Sequence, residues 1–373
     1  MIRLEHVTKI YDGGTVAVDD VNFEINEGEL CILVGPSGCG KTTTMKMINR
    51  LISITEGKIY IDGQDNTQID VNELRRNIGY VIQEIGLFPH MTVQENIGTV
   101  PMLKRWSKSK IRERAEELLD LMGMDPAEFL QSYPSELSGG QRQRVGVARA
   151  MAIDPPIMLM DEPFGAIDPI TRERLQDEFL KIQQEIRKTI VFVTHDINEA
   201  IKMGDKIALL KDGKLIQYDS PAELLSHPAN DFVKGFVGVD RTLKGLRLMR
   251  VKDVMRRSPV TVKVSEAAEV IHDHMKQAGV RYLLVVEDDN KFCGWINLSD
   301  FEYRQGDRVK DVMTPAMETI TPNTNLNEAL SHMLSSEVGN IAVVDDDGQL
   351  VGVLTFNALR EVLGETYTEK GGV

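Results

Sequence analysis

"GPSGCGKT" occupies residues 35–42, directly after the apolar run "LCILVG" and directly before "KTTTMKMINRL". No other feature constrains the fold as strongly. A short continuous apolar run is expected of a strand buried on both faces. In the following segment Met45, Ile48 and Ile52 share one helical face. Glycines at 35, 38 and 40 let the backbone curl so that its N–H groups face an anion, and a helix N-terminus adds partial positive charge there. A G-x-x-x-x-G-K-[ST] pattern held between strand and helix is a phosphate-binding loop, not merely a glycine-rich turn. The cradle runs through Gly35, Pro36, Ser37, Gly38, Cys39, Gly40, Lys41, Thr42 and Thr43. Lys41 is expected to reach the β- and γ-phosphates of a nucleotide and Thr42 to ligate Mg²⁺.

Two further apolar runs, "IMLMDE" (157–162) and "IVFVTH" (190–195), read as parallel strands. Helical patterns separate them, so the class is α/β. Residues 2–25 and "GKIYIDG" (57–63) alternate apolar and polar, as a half-exposed antiparallel subdomain does. A helical lobe is expected over about 85–152. Asp161 ends a buried strand, where it can hold Mg²⁺, and the adjacent Glu162 can polarise a water for attack on a γ-phosphate. "LSGGQ" (137–141) places Ser138, Gly139, Gly140 and Gln141 before a helix striped by Val145, Ala148 and Ala152. This is a second anion-binding helix N-terminus. One nucleotide does not need two separate cradles. Two copies of the chain, head to tail, use both.

Residues 1–240 resemble the ATP-binding cassette of ABC transporters: a P-loop NTPase core with an antiparallel β subdomain and a helical lobe. The five-residue LSGGQ signature carries most of that resemblance. It implies ATP and Mg²⁺ as cofactors and a homodimer of cassettes. It matches Tyr11 to the aromatic that stacks on adenine, and Gln83 to the glutamine that joins core to lobe and contacts the metal. It matches Asp168, in "FGAID", to the aspartate that crosses the dimer interface, and His195 to the histidine that contacts the γ-phosphate. Of the seven histidines, His195 alone directly follows a buried strand. His272 and His274, two apart on an expected helix, diverge.

The 42% hydrophobic and 27% charged content is that of a globular chain, and the net charge of −14 argues against bulk nucleic-acid binding. Three cysteines, Cys31, Cys39 and Cys293, share no metal or disulfide spacing. The opening "MIRLEHVTKIYDGG" has no apolar core of a secretory signal, and no run of 18 apolar residues occurs. A chain that serves a membrane then needs separate membrane subunits, and the expected location is peripheral, on the cytoplasmic face. Translation-type cassettes usually pair two signatures in one chain, and repair-type cassettes carry long coiled coil; neither is present. "GPSGCGKTTTMKMINRL", "RRNIGYVIQEIGLFPHMTV", "MDEPFGAIDPITR" and "HPANDFVKGFVG" resemble the quaternary-amine branch, which implies import of glycine betaine, carnitine, choline or proline betaine with a substrate-binding protein. An importer of another small solute, such as an amino acid, and a non-transport cassette ATPase are the alternatives.

"VKDVM" at 251–255 recurs at 309–313. The tail aligns on itself without gaps: Thr261 with Thr319, His274-Met275 with His332-Met333, Val285-Val286 with Val343-Val344, Gly294 with Gly352. Residues 241–250 read as a linker, 251–308 and 309–365 as two repeats, and 366–373 as a short tail. The repeats resemble a tandem CBS pair, a module whose clefts often hold adenine nucleotides in that family. The family's hydroxyl and ribose-binding aspartate are split: "GWINLSD" keeps Asp300 but has Asn297, and "GVLTFNA" keeps Thr355 but has Ala358. From residue 250 on, 13 Lys and Arg face 20 Asp and Glu, a field that opposes a triphosphate. The resemblance therefore points to cyclic di-AMP as ligand. A sensor of ionic strength, or a dimerisation element with no ligand, is the rival.

Overall fold

A computed structural model describes residues 1–82, 86–165, 167–279, 281–303, 306–316, 318–336 and 339–368. The chain divides into two units, Met1–Gly238 and Val239–Val373.

In the first unit β1 (Ile2–Ile10), β2 (Val16–Ile25), β4 (Glu56–Ile61) and β5 (Gln64–Asp65) form an antiparallel sheet in the order β2-β1-β4-β5. A second sheet joins β3 (Leu30–Val34), β6 (Ile78–Val81), β7 (Ile157–Asp161), β8 (Thr189–Val193), β9 (Lys206–Lys211) and β10 (Lys214–Asp219) in the order β10-β9-β3-β8-β7-β6. All its pairings are parallel except β9–β10. Every residue of β3, β7 and β8 is buried, which is why those segments read as unbroken apolar runs.

The two faces of this sheet have different neighbours. Cys31, Leu33, Leu159, Val191 and Leu210 share a core with Val21, Phe23 and Ile25 of the antiparallel sheet and with Met45 and Ile48 of the helix Lys41–Ile48. On the other face Phe192 meets Phe164 and Phe179, with ring centroids at 5.8 and 6.4 Å.

Between β6 and β7 lies the helical lobe. Its helix Lys108–Leu121 starts at Ser107, whose hydroxyl accepts from Lys110 N, and buries Ile111, Ala115, Leu118 and Leu119, a 3.6-residue stripe. The helix Gly139–Met151 buries Val145, Ala148 and Met151. The buried Asn96 side chain accepts from Phe88 N at 2.8 Å and donates to the carbonyls of Phe88, Met91 and Thr92, so one amide pins the loop ahead of the lobe.

In the second unit β11 (Thr261–Lys263) runs parallel to β12 (Tyr282–Val286), β13 (Phe292–Asn297) returns antiparallel, and β14 (Thr314–Pro315) joins its edge. β15 (Thr319–Ile320), β16 (Asn340–Val344) and β17 (Leu350–Thr355) repeat that plan. The repeats keep the same register: Val285 pairs with Gly294 and Val343 with Gly352, and each ladder shifts at the next residue.

The two VKDVM segments cross over. Val251 lies in the core of the second repeat with Ile320, Leu326 and Met333, and its N–H donates to Thr324 O at 2.9 Å. Val309 and Val312 lie in the core of the first repeat with Val262, Ile271 and Val285, and Val309 N donates to Glu266 O at 3.0 Å. Each short apolar segment thus completes the other repeat's core, and the sequence boundaries at 251 and 309 do not coincide with the packed units. Residues 241–250 are not an open linker. They contain the helix Arg241–Leu248, and Leu246 is buried in the second repeat's core.

Candidate functional site

The phosphate loop leaves the buried β3 and enters the helix Lys41–Ile48. Its glycines are demanded by geometry. Gly40 has φ 102°, and a Cβ there would come within 2.4 Å of Ala17 O; at Gly35 it would come within 2.1 Å of Leu210 O. Gly40 is the N-cap, and no side chain caps the helix. The first turn therefore presents bare N–H donors. Lys41, only 7% exposed, donates from Nζ to Gly35 O at 2.8 Å and Pro36 O at 2.9 Å. The loop's own carbonyls thus hold the ammonium beside the loop's N–H groups.

A cleft of about 380 Å³ is lined by Ala17, Ser37, Gly38, Cys39, Gly40, Lys41, Thr42, Thr43, Glu162 and His195. Thr42 Oγ1 donates to Asp161 Oδ1 at 3.0 Å. Burial pushes the Asp161 carboxyl up, while the Thr42 hydrogen bond opposes this. Glu162 sits in the left-handed region at φ 45°, a conformation that costs about 1–3 kcal/mol in a non-glycine residue. Its N–H donates to Val193 O at 3.0 Å, and its Oε1 lies 3.3 Å from His195 Nδ1. The strained turn sets the carboxylate beside the imidazole at the end of two buried strands.

Sequence reading does not find what steadies His195. Thr194, before it, accepts from Asp196 N at 3.0 Å and donates to Glu199 Oε2 at 2.5 Å; Gln176 Nε2 donates to Glu199 Oε1 at 3.0 Å. Glu199 is buried, and burial pushes its carboxyl up. A buried Thr-Glu-Gln chain therefore fixes the backbone on both sides of His195. A polar residue in the first turn of a helix is common, so "THDINEA" alone gives no signal of it.

Other expected residues lie elsewhere. Ser138 and Gln141 form a capping box: Gln141 Oε1 accepts from Ser138 N at 2.7 Å, and Ser138 Oγ accepts from Gln141 N at 3.3 Å. With Gly139 and Gly140 they do not line the cleft. Asp168 caps the helix Pro169–Ile186, accepting from Thr171 N at 3.0 Å, and that bond holds its carboxyl below the usual range. Tyr11 is exposed beside Lys9, whose Nζ lies 5.3 Å from the ring centroid. Gln83 lies outside the described residues.

In the second unit Asp300 Oδ2 accepts from Asn297 N at 2.8 Å, Asn297 Oδ1 accepts from Ser299 N at 3.3 Å, and Thr355 Oγ1 accepts from Ala358 N at 3.1 Å. All three residues serve local turns after a strand. Among the described residues no helix is long and apolar enough to cross a membrane.

This geometry defines a P-loop nucleotide-binding unit joined to a tandem-repeat unit. The family description "ABC transporter" matches residues 18–165, and "CBS domain" matches 251–303 and 309–365. The glycine betaine/carnitine/choline transport ATP-binding protein OpuCA of Bacillus subtilis is 46% identical over 97% of this chain and 96% of that protein. The osmoprotectant import ATP-binding protein OsmV of Salmonella typhimurium is 45% identical over 99% of this chain and 98% of that protein. The first unit is similar to MJ0796, a bacterial ABC transporter cassette solved as a dimer in a post-hydrolysis state with ADP and Pi (TM-score 0.54, 39% identity, 59% of this chain and 99% of that one). The chain belongs to the ABC transporter family, as an ATP-binding subunit of its quaternary-amine osmoprotectant branch with a C-terminal CBS pair. It is a transport ATPase.

Proposed function

We propose that this chain energises uptake of quaternary-amine compatible solutes (glycine betaine, carnitine or choline) through separate membrane subunits at the cytoplasmic face, fed by a substrate-binding protein. The observation that carries the reading is the convergence of Lys41, Thr42, Glu162 and His195 on one cleft in a chain alignable over nearly its full length with osmolyte-import ATPases.

ATP phosphates lie on the bare N–H groups of the Gly40 cap, with Lys41 at the β- and γ-phosphates and Tyr11 stacked on adenine. The paired Thr42 hydroxyl and Asp161 carboxylate offer the hard oxygen ligands that suit Mg²⁺, with Gln83 beside them. When bound, that ion supplies charge neutralisation at the β- and γ-oxygens. Glu162 orients and deprotonates the attacking water, and His195 donates to the γ-phosphate. Ser138, Gly139, Gly140 and Gln141 of a second copy close over the nucleotide, and Asp168 crosses the interface. Closing of the two copies drives the membrane subunits. The chain supplies the stroke and its membrane partners select the cargo. Uptake of labelled betaine, carnitine, choline and proline, with and without the gene, tests this. Loss of betaine-type uptake supports it, and unchanged uptake of all four contradicts it.

The CBS pair adjusts this ATPase. Cyclic di-AMP is the proposed ligand, around Asn297, Asp300 and Thr355. Its rival is an ionic-strength sensor built on the acidic charge of the unit. Calorimetry of the full chain with cyclic di-AMP at fixed salt separates the two: heat supports the nucleotide, and its absence favours the sensor.

A further inference from the structure

Glu199 is a buried carboxyl that the chemistry at the γ-phosphate leaves unused. It is only 8% exposed and does not line the phosphate-loop cleft. Burying a carboxyl costs free energy unless hydrogen bonds meet it, and an apolar side chain of similar size fills such a place at less cost. Packing alone therefore does not call for a carboxyl here. Both of its oxygens are met, by donors from two different elements: Thr194 Oγ1, directly after β8, and Gln176 Nε2, on the helix Pro169–Ile186. Thr194 and Gln176 are themselves buried.

The two donors lead to different places. The Thr194 hydroxyl also accepts from Asp196 N at 3.0 Å. It is thus used as both donor and acceptor, and its two bonds span the backbone of His195. Gln176 lies roughly 12 Å along its helix from Asp168, at about 1.5 Å per residue, and Asp168 caps that helix. Phe179 of the same helix packs against Phe192 of β8, so the helix is a fixed reference for the turn. A surface ion pair, Lys202 to Asp177 at 2.7 Å, joins the same two helices as Glu199 does. Exposed pairs of this kind hold little, which leaves the buried link through Glu199 as the one that sets register.

We propose that Glu199 is a positioning residue for ATP hydrolysis: it ties the turn that carries His195 to the helix that begins after Asp168. The placement of His195 at the γ-phosphate then follows the placement of that helix, which the other copy contacts through Asp168. This rests on the roles proposed for His195 and Asp168. Glu199 acts by holding two donors, not by exchanging a proton.

Steady-state ATP hydrolysis by the full chain, resolved into kcat and KM, tests it, with melting temperatures measured in parallel. Glu199→Leu is expected to lower kcat roughly 10- to 100-fold, the effect of misplacing a group by about 1 Å. KM for ATP should stay within about twofold, because Lys41 and Thr42 are untouched. Thr194→Val and Gln176→Leu each remove one donor at similar size and should act in the same direction. The double variant Glu199→Leu, Thr194→Val should fall no more than about twofold below the poorer single variant, since both break one chain. Two conservative variants should bring kcat back to within about threefold of native: Thr194→Ser keeps the hydroxyl, and Glu199→Gln keeps an acceptor and the size. Asp177→Ala, which breaks only the surface pair, should leave kcat unchanged. Thr194→Val carries the test if Glu199→Leu does not fold. Native kcat in folded Glu199→Leu, Thr194→Val or Gln176→Leu overturns the proposal, whatever the change in melting temperature. So do additive losses in the double variant, or a Glu199→Gln as slow as Glu199→Leu, which assigns the effect to charge. His195→Ala separates this proposal from the reading beneath it. A slow His195→Ala beside a native Glu199→Leu overturns the tie alone, whereas a native His195→Ala overturns the role given to His195 and the tie with it.

Discussion

Two helix N-termini in the first unit are built in opposite ways. The helix Lys41–Ile48 starts at a left-handed glycine with no side-chain cap, whereas Gly139–Met151 starts at Ser138 with a closed capping box. The first leaves its donors bare and relies on burial and on Lys41 to hold the loop. The second satisfies two of its own groups through Ser138 and Gln141 and remains at the surface. The contrast suggests a division of labour. The bare cradle keeps its N–H donors for an anion, whereas the self-capped turn satisfies two of its own polar groups; in the proposed dimer a nucleotide on another copy would compete for the latter.

The largest expected effect falls on the chemistry beside the bare cradle. Glu162→Gln keeps the size and removes the base, so turnover should fall roughly 100- to 10,000-fold, the worth of a general base. Nucleotide binding should persist, because Lys41 and Thr42 are untouched. Steady-state phosphate release and fluorescent-nucleotide titration measure the two. A variant that still turns over at more than a tenth of the native rate would show that another group activates the water.

Lys41→Ala tests the cradle itself. ATP affinity should drop roughly 10- to 100-fold, the range for hydrogen bonds to a charged group. Ser138→Ala should leave ATP affinity of the single chain unchanged and remove about 1 kcal/mol of stability with its cap. If the two variants weaken ATP equally, the division between the termini is wrong.

Asp161→Asn should separate stability from function. Burial raises the Asp161 carboxyl, so its ionisation is harder in the folded chain than in the unfolded one. Its contribution to stability therefore declines as pH rises from the ordinary carboxylate value through the raised folded value. The asparagine keeps the Thr42 hydrogen bond and loses the penalty. The nucleotide-free protein should melt higher by roughly 2–4 °C, the shift that about 1 kcal/mol gives in a unit of this size, while Mg²⁺-dependent turnover is lost. A lower melting temperature at pH 7 contradicts this sign.

The smallest effect concerns thiols. Cys39 is only 3% exposed, and burial pushes its thiol up, so it should alkylate slowly although it lies in the phosphate loop. Cys293 is less buried and should react first. Bound MgATP should slow Cys39 further and leave Cys293 unaffected. Peptide mapping after timed alkylation reads both rates, and faster labelling of Cys39 contradicts this order.

How much of this was legible in the sequence depended on whether the signal was local. The phosphate loop was legible because Gly35 and Gly40 answer to contacts with the nearby backbone, and buried strands on both faces leave unbroken apolar runs. Asp161, Glu162 and His195 were legible as strand ends, and parallel strands bring such ends together. The chain from Gln176 through Glu199 to Thr194 joins residues far apart in sequence by hydrogen bonds between ordinary polar types. The crossover of the VKDVM segments was hidden for a related reason. A four-residue amphipathic segment fits either of two near-identical cores, and its sequence does not say which. The helix Arg241–Leu248 read as a linker because it contributes only one fully buried side chain, Leu246.

The central claim is that two unlike helix N-termini from two copies share one nucleotide. Glu162→Gln with ATP, run on a calibrated sizing column with light scattering, tests it most directly, alongside the double variant Glu162→Gln, Ser138→Arg. The account predicts an ATP-dependent dimer for the first and a monomer that still binds ATP for the second. A Glu162→Gln chain that binds ATP yet stays monomeric at saturating nucleotide, or a dimer indifferent to Ser138→Arg, would contradict it.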